Sequence, residues 1–304
     1  MTILALPALD GRKPLAFLAA LGVTRLLTVH DGDDVRVSWD PADGTAHLDT
    51  RHRSVDALVD RLVSIAHTVA DGGVLPLAPA DFPPPGAAPD RLRLTQHELR
   101  PYADSRLPQP DPELEAWLTS LVTDLAVDKA GRCAISLMTA PSGKQSMRTM
   151  LEKPLALVTR DTLEEALVAW KRHPGVTGEY LDHQVLFDAA DSAAGESLER
   201  GVPGATWLAL MCYPAMRTTA EGPRRVTTGW HRKNRTPDTL RYPLWSAALD
   251  LHAVVALLEH PIWRLCVDGR LPKEAAAFTV FSLCQARRRR LPGRTFDGVL
   301  APVS

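Results

Sequence analysis

The sequence predicts an α+β fold, a mixture of helices and short, mostly antiparallel strands. Three observations lead there. Several segments carry the 3.6-residue apolar period of helices, others alternate apolar and polar residues between turn formers, and the two kinds follow no regular βαβ rhythm. No internal repeat or heptad seam is visible.

In chain order, PLAFLAALGVTRLL (14–27) reads as a helix with a proline suited to its first turn, apolar residues at Leu15, Leu18, Ala19 and Leu26, and an interruption or tight spot at Gly22. VRVSW and TAHLDT alternate around DPADG and read as a hairpin. Ser54 offers a side-chain cap to the amphipathic helix VDALVDRLVSIAHTVA. Many prolines between Leu75 and Pro112 predict a long surface loop. Asp111 and Pro112 then start a helix over ELEAWLTSLVTDLAV, and CAISLM reads as a strand. Segment 162–170 is helical with acidic residues in its first turn, HQVLFD is a short strand, and WLALMCY is a buried helical segment. RRVTTGW is strand and turn, SAALDLHAVVALLEH is helical, and WRLCV and TFDGVL are strands with ARRRRLPGR between them. The division that follows is an N-terminal α+β part over 1–75, a Pro-rich loop or linker over 76–112, and a larger α+β part over 113–304 with a basic last third.

Composition narrows the function classes. With 45% hydrophobic and 23% charged residues, the 304-residue chain has the make-up of an ordered globular protein. No apolar run approaches the ~20 residues of a membrane span. No basic region precedes the first apolar residues, and Asp10, Arg12 and Lys13 follow closely, so neither a secretory signal nor a membrane partner is expected. The four cysteines, at 133, 212, 266 and 284, form no CxxC pair; a zinc knuckle or disulfide framework is not expected, and a reduced cytoplasmic compartment is. The net charge of −1 conceals an asymmetry: residues 1–131 hold 12 Lys/Arg against 19 Asp/Glu, and residues 212–304 hold 15 against 7. One side of the molecule is expected to face an anion.

The segment CAISLMTAPSGKQSMRTM has the outline of a phosphate loop without its chemistry. That loop needs a first glycine where Met138 stands and a hydroxyl where Gln145 stands. What survives is Ser142, Gly143, Lys144 and Gln145 at a helix start, with Arg148 four residues after Lys144, a pattern that suits a phosphate of any kind. The stronger signal lies between Arg217 and Trp245, where Arg224, Arg225, His231, Arg232, Lys233, Arg235 and Arg241 alternate with Trp230, Tyr242 and Trp245. Cations neutralise phosphates and aromatic faces stack on bases, although the tryptophans also suit a core. Arg287, Arg288, Arg289 and Arg290, then Arg294, form a second basic cluster too concentrated for a strand edge. His30-Asp31 lacks the second His-Asp pair of a metal phosphohydrolase, and neither HExxH nor GxSxG occurs. No cofactor is expected.

Two stretches resemble a known family. ALDGRKPLAFLAALGVTRLLT, followed by a short hairpin with Trp and a helix, resembles the N-terminal entry of proteins encoded in type I CRISPR loci of subtype G, formerly U. WLALMCYPAMRTT, with GWHRKN and RYPLWSAALDLHAVVALLEHP, resembles the later half of large-subunit-like proteins of those loci. The resemblance covers about half the chain in separated pieces, and the chain is shorter than many large subunits, which implies a reduced or divergent member. It implies a non-enzymatic subunit of an RNA-guided, Cascade-like surveillance complex serving antiviral defence, with target DNA, guide RNA, other CRISPR-associated subunits and a recruited helicase-nuclease as partners. Such a subunit helps recognise the short motif beside the target and holds the DNA open. The expected backbone contacts are Lys144, Arg148, Arg224, Arg225, Arg232, Lys233, Arg235, Arg287, Arg288, Arg289 and Arg290; Ser142, Gln145 and Asn234 are candidates for base edges. Two other classes stay open: a nucleotide or small-molecule enzyme with a pocket around 133–150, and a protein-interaction scaffold wrapped by the Pro-rich segment.

Overall fold

The first element is one the sequence reading passes over. Thr2–Asp10 forms strand β1, in which Leu4 and Leu6 are buried while Ile3 and Ala5 face outward. Pro7 is tolerated because β1 lies at the edge of its sheet. The computed structural model describes residues 1–84, 86, 92–106, 108–140, 145–185, 199–232, 237–266, 270–289 and 298–303.

Helix α1 (Pro14–Asp31) follows, then the expected hairpin of β2 (Arg36–Trp39) and β3 (Thr45–Thr50) and helix α2 (Val55–Gly72), whose cap Ser54 accepts a hydrogen bond from the Ala57 amide at 3.2 Å. The Pro-rich segment departs from a surface loop. It buries Phe82, Leu92 and Leu94, and it contains helix α3 (Gln96–Asp104), started by a reciprocal capping box between Thr95 and Glu98. Helix α4 (Pro112–Leu121) starts at Asp111 as expected but stops at the β-branched pair Val122-Thr123, where strand β4 (Val122–Val127) pairs with β5 (Cys133–Ile135).

Next come α5 (Met147–Leu155), α6 (Arg160–Glu164) running into a π-helical turn at Glu165–Ala169, and the short strands β6 (His173–Pro174) and β7 (Arg200–Gly201). Of the strand expected at HQVLFD, His183–Val185 is a 3₁₀ turn and the rest lies outside the described residues. Helix α7 (Pro203–Met211) is wholly buried, as its apolar sequence requires, and its one hydroxyl, Thr206 Oγ1, donates to the Val202 carbonyl at 2.8 Å. Strands β8 (Thr218–Glu221) and β9 (Arg224–Thr227) form a hairpin, followed by β10 (Trp230–His231), β11 (Thr239–Trp245) and β12 (Leu249–Asp250). Helix α8 (Leu251–Glu259) is capped by Asp250; of the strand expected at WRLCV, Trp263 to Leu265 belong to helix α9 (Ile262–Leu265), Cys266 is extended, and Val267 lies outside the described residues. Arg287, Arg288 and Arg289 of the basic run end a ten-residue strand, β13 (Val280–Arg289), paired on both sides by β11 and β14 (Val299–Pro302).

Two antiparallel four-stranded sheets result, in the orders β1-β3-β2-β12 and β10-β11-β13-β14. They share one core. Helix α1 lies against α7, and Gly22 permits the contact instead of breaking the helix, since a Cβ there would sit 1.7 Å from the Leu208 carbonyl oxygen. Phe17 of α1 stacks on Trp39 of the first sheet (5.4 Å) and on Tyr242 of the second (4.4 Å). Trp245 Nε1 donates to the Val37 carbonyl at 2.8 Å across the two sheets. Among the described residues no helix is long and apolar enough to cross a membrane.

Candidate functional site

Strand alternation decides which basic residues of the second sheet face outward. Trp230, Leu240, Tyr242 and Ala286 occupy the core face, all buried. On the opposite face the register places His231 across from Thr239, Thr239 across from Arg287, and Arg241 across from Gln285. The same period of two splits the arginine run. Arg287 and Arg289 share the outer face, with Arg289 exposed and Arg287 Nε donating to Thr239 Oγ1 at 2.7 Å. Arg288 points the other way and donates to the carbonyls of Tyr180 (2.7 Å), Gly298 (3.2 Å) and Met138. Arg288 therefore serves the fold, and Arg287, Arg288 and Arg289, on alternating faces of the strand, cannot grip one ligand together. Arg290 lies outside the described residues.

Beside this face runs a groove of about 1120 Å³, walled by α3, β4, the β8–β9 hairpin and the α8–α9 corner. Six arginines line it. Three are matched by carboxylates: Arg100 with Asp124 at 2.8 Å, Arg217 with Glu259 at 2.7 Å, and Arg224 with Glu221 at 2.7 Å. The other three, Arg232, Arg241 and Arg264, form no ion pair among the described residues. Arg241 donates to the Trp263 carbonyl at 3.1 Å, while its Nε is buried without a hydrogen-bond partner. His231 Nε2 is likewise buried and unpartnered. Burial, then the charges of Arg241 and Arg264, push the His231 imidazole down to about 4, and burial lowers Arg241. One end of the groove thus carries cationic groups that form no ion pair among the described residues.

The remaining expected contacts are distributed elsewhere. Arg225 donates to the Ile135 carbonyl at 2.9 Å and supports the packing of the hairpin on β5. Arg148 donates to the carbonyls of Ala80 and Phe82, so it pins the Pro-rich segment. Its helix is capped by Ser146 and begins at Met147, so Gln145 precedes it and the helix starts later than expected. Gln145 Nε2 donates at 3.1 Å to Glu179, whose buried carboxyl is pushed up to about 7 by desolvation. Ser142, Lys144, Lys233, Asn234 and Arg235 lie outside the described residues. Trp230, Tyr242 and Trp245 are buried, which favours the core reading and removes them as platforms for bases.

Arg100, Arg217 and Arg264 were not among the candidates. They come from three distant segments, and no local motif marks them; only the fold brings them together. The HDGDD turn is an ionic cluster in which Asp31 is held by Arg61 and Arg51, the latter at 3.2 Å. Among the described residues no group of His, Cys, Asp and Glu could hold a metal ion. No family model matches the chain, and no curated protein matches it.

Proposed function

We propose that the chain binds nucleic acid through the groove and the adjoining outer face of the second sheet, as a non-enzymatic subunit of an RNA-guided CRISPR effector complex. The observation that carries the binding reading is the unmatched charge of Arg232, Arg241 and Arg264 beside the outward Arg287 and Arg289. Unmatched arginines in a protein surface are stabilised by phosphate oxygens, and their number sets the salt dependence of binding. Assignment to a Cascade-like complex rests on the resemblance of the α1 and α7–α8 stretches to large-subunit-like proteins. In that role the chain helps recognise the motif beside the target and holds DNA open for a recruited helicase-nuclease.

Fluorescence anisotropy with labelled duplex DNA, single-stranded DNA and RNA tests the binding reading. The wild-type chain is expected to bind in a salt-dependent way, and Arg287→Glu with Arg289→Glu to weaken binding at least about tenfold. Binding that ignores both substitutions, or no binding at all, defeats it and favours a protein-interaction scaffold. Nucleotide hydrolysis abolished by Lys144→Ala would instead establish an enzyme. Co-expression with the other subunits of a type I subtype G CRISPR complex and a guide RNA tests the complex: the chain is expected to co-elute with the RNA.

A further inference from the structure

We infer that His231, Arg241 and Arg264 form a subsite for one phosphate group, and that the imidazole takes up a proton as the phosphate enters; the inference rests on the nucleic-acid reading of the groove. The geometry begins with the register. His231 stands opposite Thr239, and the amide of Arg241 donates to the Gly229 carbonyl at 2.7 Å, so His231 and Arg241 are diagonal neighbours on one face. Such neighbours stand about 7 Å apart at their backbones, close enough for their long side chains to share one tetrahedral anion. Arg264, on α9, faces the same end of the groove from the other side, with its side chain exposed.

Two buried nitrogens at this end lack partners, Arg241 Nε and His231 Nε2. A buried N–H without an acceptor carries a desolvation cost of about 1–3 kcal/mol, which a phosphate oxygen relieves. The imidazole is the less obvious participant. Neutral, it presents one lone pair, which repels a phosphate oxygen if turned toward it; protonated, both nitrogens donate. In the free protein the proton is disfavoured first by burial and then by the positive charge of the neighbours. Arg241 faces His231 from β11 and Arg264 from α9. On the hairpin packed beside β10, Arg224 is held by Glu221 and Asp238, and Arg225 by the Ile135 carbonyl. Glu259 of α8 is committed to Arg217 and Thr228. A bound phosphate inverts this balance and raises the histidine pKa in the complex above its free value.

The sign follows from linkage. With the bound pKa above the free one, affinity increases as pH falls through the bound value and levels off below about 4, the free value. Isothermal titration calorimetry of the full chain with a 5′-hydroxyl oligodeoxynucleotide, from pH 5 to 8 in buffers of differing ionisation enthalpy, measures the protons taken up. Uptake that disappears in His231→Gln, with affinity falling about tenfold in Arg241→Gln, supports the subsite. Binding without proton uptake, or uptake unchanged in His231→Gln, overturns it and leaves the nucleic-acid reading standing. If no oligonucleotide binds, the nucleic-acid reading fails. Inorganic phosphate is then the probe: uptake lost in His231→Gln assigns the subsite to a free phosphate, and no phosphate binding overturns it. Thermal unfolding of each variant checks that the fold is retained.

Discussion

The two four-stranded sheets are both built of antiparallel neighbours and share one core, yet they treat arginine in opposite ways. Around the first sheet, Arg12 is paired with Asp10, Arg36 with Asp34, and Arg51 and Arg61 with Asp31. On the outer face of the second, Arg241 and Arg287 meet neutral oxygens, those of Trp263 and Thr239. The difference separates charge neutralised within the surface from charge that, on the function proposed, meets an external anion. A count of basic residues along the chain sees only part of this, because the carboxylates that neutralise Arg100, Arg217 and Arg224 sit on other elements or across a turn.

The largest expected effect tests whether the sheets are one unit. Gly22→Val forces a side chain into the Leu208 backbone and is expected to cost about 3 kcal/mol or more, with tryptophan fluorescence and far-UV circular dichroism lost in one transition. Two separate transitions would break the shared core. A comparable effect is expected beneath the second sheet at Glu179, near Arg288. Its pKa is raised from 4.5 to about 7, so the unfolded chain ionises first and stability falls as pH rises from 4.5 to 7, then levels off. The span is on the order of 3 kcal/mol, and Glu179→Gln is expected to flatten it in denaturant titrations across that range. An unchanged pH profile would remove Glu179 as its source.

The third prediction sharpens the division within the arginine run. Arg288→Met is expected to cost about 2 kcal/mol through the loss of bonds to three carbonyls. Arg287→Ala is expected to cost about 0.5 kcal/mol while weakening nucleic-acid binding. Equal stability losses would mean that strand alternation does not sort these residues. The smallest effect belongs to the first sheet: Arg36→Gln removes an exposed ion pair and is expected to leave both the melting temperature and nucleic-acid affinity unresolved from wild type.

Much of the fold was legible where local chemistry is self-sufficient. Ser54 capped its helix, DPADG turned its hairpin, Asp111 and Pro112 opened α4, and the apolar WLALM became buried helix. Elements were lost where neighbours decide. VFSLCQARRR lacks the period of two because parts of both its faces are covered, so the sequence does not show the strand and its arginines read as one cluster. ELEAWLTSLVTDLAV kept a helical pattern through a boundary set by pairing with β5. At the candidate site, the charge asymmetry and the region around His231 and Arg241 were visible. The partition into matched and unmatched arginines was not, since it depends on Asp124, Glu221 and Glu259 meeting their partners in the folded chain.

The central claim is that unmatched arginines at one end of the groove hold phosphates. Its most direct test is the slope of log affinity against log salt for an oligonucleotide, compared between wild type and the triple variant Arg232→Gln, Arg241→Gln, Arg264→Gln. The account predicts a slope shallower by about 2 in the variant, one for the phosphate that Arg241 and Arg264 share and one for the phosphate held by Arg232. A slope that stays the same, with the variant folded, would contradict it.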